Sequence, residues 1–407
     1  MPCNMISTAV TVTLLGLSTF SSAISCEKNE VPGTIEMPLT LVESGGDEGP
    51  QYLLNISVGT PPQNVTVQID TGSSDLWIFS SDNECNNSWG CLGSSFHENA
   101  SSTLVNDLPG QFAYSYGSGA NGTGDYVTDD VQIGGKMIKN VRFGVAHKSN
   151  GISPLYGIMG LGFSDGEFAV NKNLSRFNTT VQKMSNQGII NSAAFSLYLN
   201  NIENQGNILF GGYDKAKYHG DLQMMDLIGF DGTYKQWYVN LTALGLSTVS
   251  SNGSSPITWF GNSSIAGAAF IDCGSPKMFL PGGGSMNLIP NVGGVYDPEA
   301  SSSLIPCSAI NDTKTFVDIQ LGGSDPNGPL IKIPISNLVE PYTGTKKNVS
   351  INGEKACSFG LSPGPDDFQV LGDAFIKGAY TLFNMDTHSV SMANVKLNTE
   401  KSDIVAV

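Results

Sequence analysis

Short apolar runs, punctuated by turn residues, recur along nearly the whole chain. QYLLNISV (51–58), NVTVQI (64–69), DLWIFS (75–80), QFAYSY (111–116), NILFGG (207–212), QWYVNLTALGL (236–246), FVDIQL (316–321) and GAYTLFNM (378–385) are rich in β-branched and aromatic residues, and Gly, Asn and Pro separate them. This pattern predicts strands and a mainly β protein. Two segments depart from it. NLSRFNTTVQKMSNQG (173–188) spaces its apolar residues as a helix does and ends on a glycine, and SNLVEP (336–341) is a shorter helical candidate.

The pattern also repeats. An apolar pair running into Asp-X-Gly-Ser occurs as VQIDTGSSDLWI and again as AFIDCGSPKMFL. Roughly a hundred residues after each aspartate comes a hydrophobic pair closed by glycine: Ile158-Met159-Gly160 in YGIMGLG, then Val370-Leu371-Gly372 in QVLGDAF. One architecture used twice predicts two lobes, over 36–225 and 226–397, with the joint near Leu222 to Gly232. A chain of 407 residues, 40% of them hydrophobic, is long enough to bury two cores.

The ends and the charge narrow the function. Residues 1–23 form an apolar run too short and weakly flanked for a spanning helix, and Ser21-Ser22-Ala23 offers small residues for cleavage, so a secretion signal is expected. A short leader, 24–35, follows it. No later run is apolar for long enough to cross a bilayer, and the C-terminus lacks a lipid-anchor signal. About a dozen Asn-X-Ser/Thr triplets, Asn121 among them, fit passage through a secretory pathway. The expectation is a soluble, monomeric glycoprotein, extracellular or vacuolar. A formal charge of -16 repels nucleic acid and anionic lipid; it serves solubility or adaptation to acid. In a compartment where disulfides persist, Cys85 and Cys91 close a tight loop and Cys307 and Cys357 can staple a longer one; Cys26 and Cys273 are expected unpaired.

A single Asp-X-Gly is usually only a turn. Two related by a repeat can face each other, and two carboxylates in one dry site cannot both ionise cheaply. Paired aspartates are the standard instance of a shared proton, and the expectation for Asp70 and Asp272 is borrowed from them. The ionised member then serves as general base toward a water, while the protonated one hydrogen-bonds the scissile carbonyl. Gly72 and Gly274 allow close backbone approach, Ser73 and Ser275 can donate to the outer carboxylate oxygens, and Thr71 would brace the opposite lobe. No metal, cofactor or nucleophilic side chain is needed. The histidines His97, His147, His219 and His388 are scattered without ligand spacing and are expected at the surface or in structural roles.

Taken together, IDTGSSDLWI, the YGSG run, YGIMGLG, the second motif and VLGDAFIKGAYTLFNMD resemble the pepsin-like aspartic peptidases over nearly all of the presumed mature chain, and most resemble the fungal secreted branch with the yapsins and candidapepsins. The resemblance implies a bilobal pepsin-like fold, polypeptide substrates, Asp70 and Asp272 as the catalytic pair, and a hairpin flap carrying Tyr116. Gly117 and Gly119 would let that flap bend, and Trp77 would back the tyrosine. Yapsin-like members with a preference for basic residues resemble one another in an acidic residue after the flap Tyr-Gly. This chain has Ser118 there, which implies preference for large apolar side chains.

Three features depart from that pattern. Cys273 stands where Thr or Ser is usual, which should weaken the grip between the lobes while leaving Asp272 in place; beside carboxylates its thiol should have a raised pKa. Pro276 removes a backbone donor behind the pair. The leader is short and lacks a dibasic site. An active acid endopeptidase is the leading expectation, and a weak or inactive binding protein on the same fold is the alternative.

Overall fold

The computed structural model describes residues 31–42, 49–87, 89–151, 155–199, 205–249, 256–261, 265–322, 328–342, 344 and 349–407. The presumed signal, Cys26 and most of the leader lie outside the described residues. Every run predicted as a strand forms one. QYLLNISV becomes Gln51–Val58, DLWIFS extends to Leu76–Asn86, QWYVNLTALGL shifts to Tyr238–Thr248, and GAYTLFNM narrows to Ala379–Asn384. The strand Gln63–Asp70 begins with alternating exposure and ends with four consecutive buried residues, so it passes from the surface into a core covered on both faces.

A thirteen-stranded sheet runs through the molecule. Towards one end it interleaves distant parts of the chain. Ile35–Val42 pairs with Gln205–Phe210, that strand with Ala194–Leu199, and that in turn with Ala379–Asn384 and then Ser389–Asn394. The chain's last strands are therefore hydrogen-bonded to strands of its first half. Towards the other end the sheet continues through Gln51–Val58 and Gln63–Asp70 to the long hairpin of Val105–Ser115 and Asn121–Ile133. The second half builds an eight-stranded sheet around Tyr238–Thr248 and Gly267–Ile271.

The sequence repeat is also a repeat of topology. Gln63–Asp70 lies parallel to Gly157–Gly160, and Gly267–Ile271 parallel to Gln369–Leu371. In each half a third strand crosses antiparallel, pairing Trp77 with Ile158 and Phe279 with Val370. The closing glycines have no room for a side chain: an added Cβ would lie 2.4 Å from the backbone of Ser74 at Gly160, and 2.2 Å from the Lys277 carbonyl at Gly372. The bilobal, mainly β fold follows from this doubling.

Among the described residues, helix is confined to short pieces. The segment 173–188 is helical only over Thr180–Asn186, where the Gln182 side chain accepts from the Thr179 N–H at its start; Gly188 follows its end with φ +67°. SNLVEP is corrected: it is a 3-10 turn, Ile335–Leu338, running into the two-residue strand Val339–Glu340. The helix Gly282–Leu288 was hidden in GGGSMNL, where three glycines oppose helix formation and packing of Leu288 and Ser285 into the core overrides them. Disulfides join Cys85 to Cys91 and Cys307 to Cys357, and Cys273 is buried and free.

Candidate active site

Both Asp-X-Gly turns begin where a central strand ends, and the two turns meet. Asp70 and Asp272 are 6% and 8% exposed. The Gly72 N–H donates to Oδ1 of Asp70 at 2.7 Å, and the Gly274 N–H to Oδ1 of Asp272 at 2.9 Å. The Ser73 hydroxyl donates to Oδ2 of Asp70 at 2.5 Å, and Ser275 hydrogen-bonds Asp272. Contact across the pseudo-twofold is close enough that a Cβ on Gly72 would sit 2.6 Å from Oδ1 of Asp272, and one on Gly274 would sit 2.4 Å from Oδ1 of Asp70. Burial raises the Asp272 pKa well above the usual carboxylate range, and the charge of Asp70 and a hydrogen bond with it raise it further, against the donors Gly274 and Ser275.

Thr71 ties the turns together. Its hydroxyl donates to the Ile271 carbonyl at 2.8 Å and accepts from the Cys273 N–H at 2.9 Å. Further bonds cross between the halves: Gln236 donates to the Gly72 carbonyl, and the Trp237 indole to the Leu161 carbonyl. Cys273 is 1% exposed; burial, then the charges of Asp373, Asp70 and Asp272, push its thiol pKa well up, as expected from sequence.

Tyr116 lies at the tip of the long hairpin. Its N–H donates to the Ala120 carbonyl and its carbonyl accepts from Gly119, which closes a tight turn in which Gly119 takes φ +87°. The positive φ requires glycine at 119, whereas at Gly117, which shares the open space of the tip, φ is not positive. Ser118 is exposed. The Trp77 indole N–H donates to the Tyr116 hydroxyl at 2.8 Å, and the rings of Trp77 and Tyr114 stack at 4.2 Å. Burial and the charge of Asp70 raise the Tyr116 pKa well above normal, so the hydroxyl stays protonated as a donor.

No motif or spacing marks three buried acids around this site. Asp75 accepts from the Tyr126 hydroxyl and the Phe168 N–H, and burial raises its pKa to about 6. Glu167 accepts from the Phe177 N–H with Oε2, its buried Oε1 has no partner, and burial raises its pKa to about 9. Asp373, behind the second turn, is also pushed well up by burial, despite the charge of Lys377. In sequence these are ordinary polar residues, two of them after glycines, and only packing shows that they are enclosed. Phe168, next to Glu167 and held by Asp75, touches Tyr116 at 5.8 Å between ring centres, so these two acids support the hairpin's apolar bed.

The family model for eukaryotic aspartyl protease matches residues 51–395. The probable aspartic-type endopeptidase opsB of Aspergillus oryzae is 32% identical over 376 residues, 90% of this chain and 73% of its own. Candidapepsin of Candida tropicalis is 30% identical over 380 residues, covering 91% and 84%, and secreted aspartic protease 5 of Candida albicans is 30% identical over 371 residues, covering 89% and 80%.

Proposed function

Because the chain belongs to the eukaryotic aspartyl protease family, we propose that it is a secreted acid endopeptidase in which Asp70 and Asp272 activate a water for attack on a peptide bond. The observation that carries the reading is the facing pair itself: two buried carboxylates, with Asp272 raised by burial and by Asp70. Asp272 holds the shared proton and donates it toward the scissile carbonyl; Asp70 takes the proton of the attacking water. Collapse of the tetrahedral intermediate returns a proton to the leaving amine, so the pair is restored and no covalent enzyme intermediate forms. Tyr116 closes over the peptide with its hydroxyl held by Trp77.

The lobes are 36–225 and 226–397, with the substrate between them. Preference for large apolar side chains beside the cleaved bond is supported by the aromatic bed of Trp77, Phe112, Tyr114 and Phe168, and by Ser118 in place of an acidic residue. The apolar N-terminal run, the sequons and the similarity to the secreted aspartic protease 5 of Candida albicans support secretion. Among the described residues no helix is long and apolar enough to cross a membrane. A monomer acting on polypeptides, without nucleic acid or membrane partners, fits the acidic charge.

The test is cleavage of denatured globin from acid to neutral pH. Acid activity abolished by pepstatin and by Asp70→Asn is the expected result. A folded, fully processed protein without turnover would overturn the reading. Dominance of Lys or Arg before the cut in a peptide library would overturn the apolar preference alone.

A further inference from the structure

Away from the paired turns, four separate segments bring ionisable side chains to one place. Asp82 comes from Leu76–Asn86, Glu98 from the 3-10 turn Glu98–Ala100, Asp125 from Asn121–Ile133 and His147 from Lys136–Asn150. Oδ1 of Asp82 lies 2.9 Å from Nδ1 of His147, and on the other side of the ring Nε2 faces Oδ2 of Asp125 at 3.5 Å and Oε1 of Glu98 at 3.8 Å. One ligand atom each of Asp82, Glu98 and His147 lie within 4.8 Å of one another.

The two sides of the imidazole differ in what they imply. The contact to Asp82 is a hydrogen bond, and in the neutral ring it fixes the proton on Nδ1 and leaves the Nε2 lone pair towards two carboxylates. A lone pair facing two anionic oxygens is repulsive unless the ring is protonated or a metal cation stands between them. Burial opposes the proton, but the hydrogen bond with Asp82 and the charges of Glu98, Asp82 and Asp125 raise the His147 pKa overall, so a metal competes with that proton and gains as pH rises. The separations are too long for good hydrogen bonds. They are close to the roughly 3.4 Å between two donor atoms that share a tetrahedral ion at bond lengths of about 2.1 Å.

Both carboxylates are also held from behind. The hydroxyl of Ser80, itself buried, donates to Oε1 of Glu98 at 2.7 Å, and the Gly110 N–H donates to Oδ1 of Asp125 at 2.6 Å, which leaves Oδ2 for the histidine. A carboxylate orienting a histidine through Nδ1, with supported oxygens opposite Nε2, is the usual construction around a bound metal.

We propose that the cluster of Asp82, Glu98 and His147, with Asp125 beside Nε2, binds a divalent transition-metal cation of the zinc type. The imidazole selects against calcium and magnesium, which take oxygen ligands, and the carboxylates supply the charge. Sequence spacing does not disclose the site because each ligand comes from a different segment. The strand carrying Asp125 runs on from the hairpin tip, and the strand carrying Asp82 also carries Trp77, so a bound ion fastens the base of the hairpin to the strand beneath its tyrosine.

The experiment is calorimetric titration of the intact, chelator-stripped protein with zinc chloride near neutral pH, repeated with calcium chloride, together with cobalt(II) absorption as a report of coordination. One equivalent of zinc is expected, with affinity reduced roughly tenfold or more in His147→Ala. Asp125→Asn keeps the oxygen that accepts from Gly110 and serves the same purpose if His147→Ala does not fold by circular dichroism. Absence of saturable zinc binding, undiminished binding in the folded variants, or calcium binding as tight as zinc each overturns the proposal; the first leaves His147 as the protonated centre of an ion-pair cluster.

Discussion

At Gly72 a single methyl group would lie 2.6 Å from Oδ1 of Asp272, and at Gly274 one would lie 2.4 Å from Oδ1 of Asp70. Neither glycine has a positive φ, so crowding and not backbone strain fixes the residue type. Gly72→Ala and Gly274→Ala must therefore push the opposite carboxylate aside, and a displacement of about 1 Å lowers kcat on the order of a hundredfold. Steady-state kinetics should show the loss in kcat with little change in Tm; unchanged kcat would contradict the facing geometry. The role of these glycines was legible in sequence as close approach, but which atoms they make room for was not. Thr71 bonds Ile271 and Cys273 through its hydroxyl. Thr71→Val leaves a buried carbonyl and a buried N–H unpaired and should cost about 2–4 kcal/mol in urea unfolding.

The hairpin and the short helix beneath it work as a unit whose support is acidic. Phe168 opens the helix Phe168–Asn171, its N–H is held by Asp75, and the adjacent Glu167 is fully buried. Both acids have folded pKa values raised by burial, to about 6 and about 9, so folding favours their protonated forms. Their contribution to stability is complete below the unfolded carboxyl range near about 4. It declines as pH rises through that range and is lost as each folded pKa is passed, because the unfolded chain releases these protons first. Glu167→Gln keeps an oxygen for the Phe177 N–H and removes the titration. Its Tm should fall less than that of the wild type between pH 5 and pH 9. Parallel Tm curves for the two proteins would refute the assignment to Glu167. Strand positions here were legible because alternating apolar runs mark them. Segment 173–188 looked helical over its full length because periodicity does not show where a cap begins the helix, and enclosed acids leave no periodic trace at all. Within the same unit, Trp77→Phe removes the donor to Tyr116 and should lower kcat/KM about tenfold, the equivalent of one hydrogen bond.

At the scale of the molecule, the repeat predicted two halves but not how firmly they are joined. Strands 194–199, 205–210 and 379–394 interleave in one sheet, which no motif announced because its partners are nearly two hundred residues apart. Trp237 is central to that junction. It stands just before the strand Tyr238–Thr248, is fully buried against Phe163, Phe195 and Phe383, and donates to the Leu161 carbonyl at 3.0 Å, one residue from the glycine that packs behind the Asp70 turn. Two effects separate by substitution. Trp237→Phe keeps most of the apolar volume but leaves a buried carbonyl unpaired, at about 1–3 kcal/mol, whereas Trp237→Ala adds a large cavity and should cost about 3–5 kcal/mol. Since both halves contribute to the contact, the loss should appear as one cooperative unfolding transition shifted to lower denaturant. A second transition appearing in Trp237→Ala, with the first unmoved, would mean that the halves are stable alone and that the shared sheet, not the indole, carries their coupling.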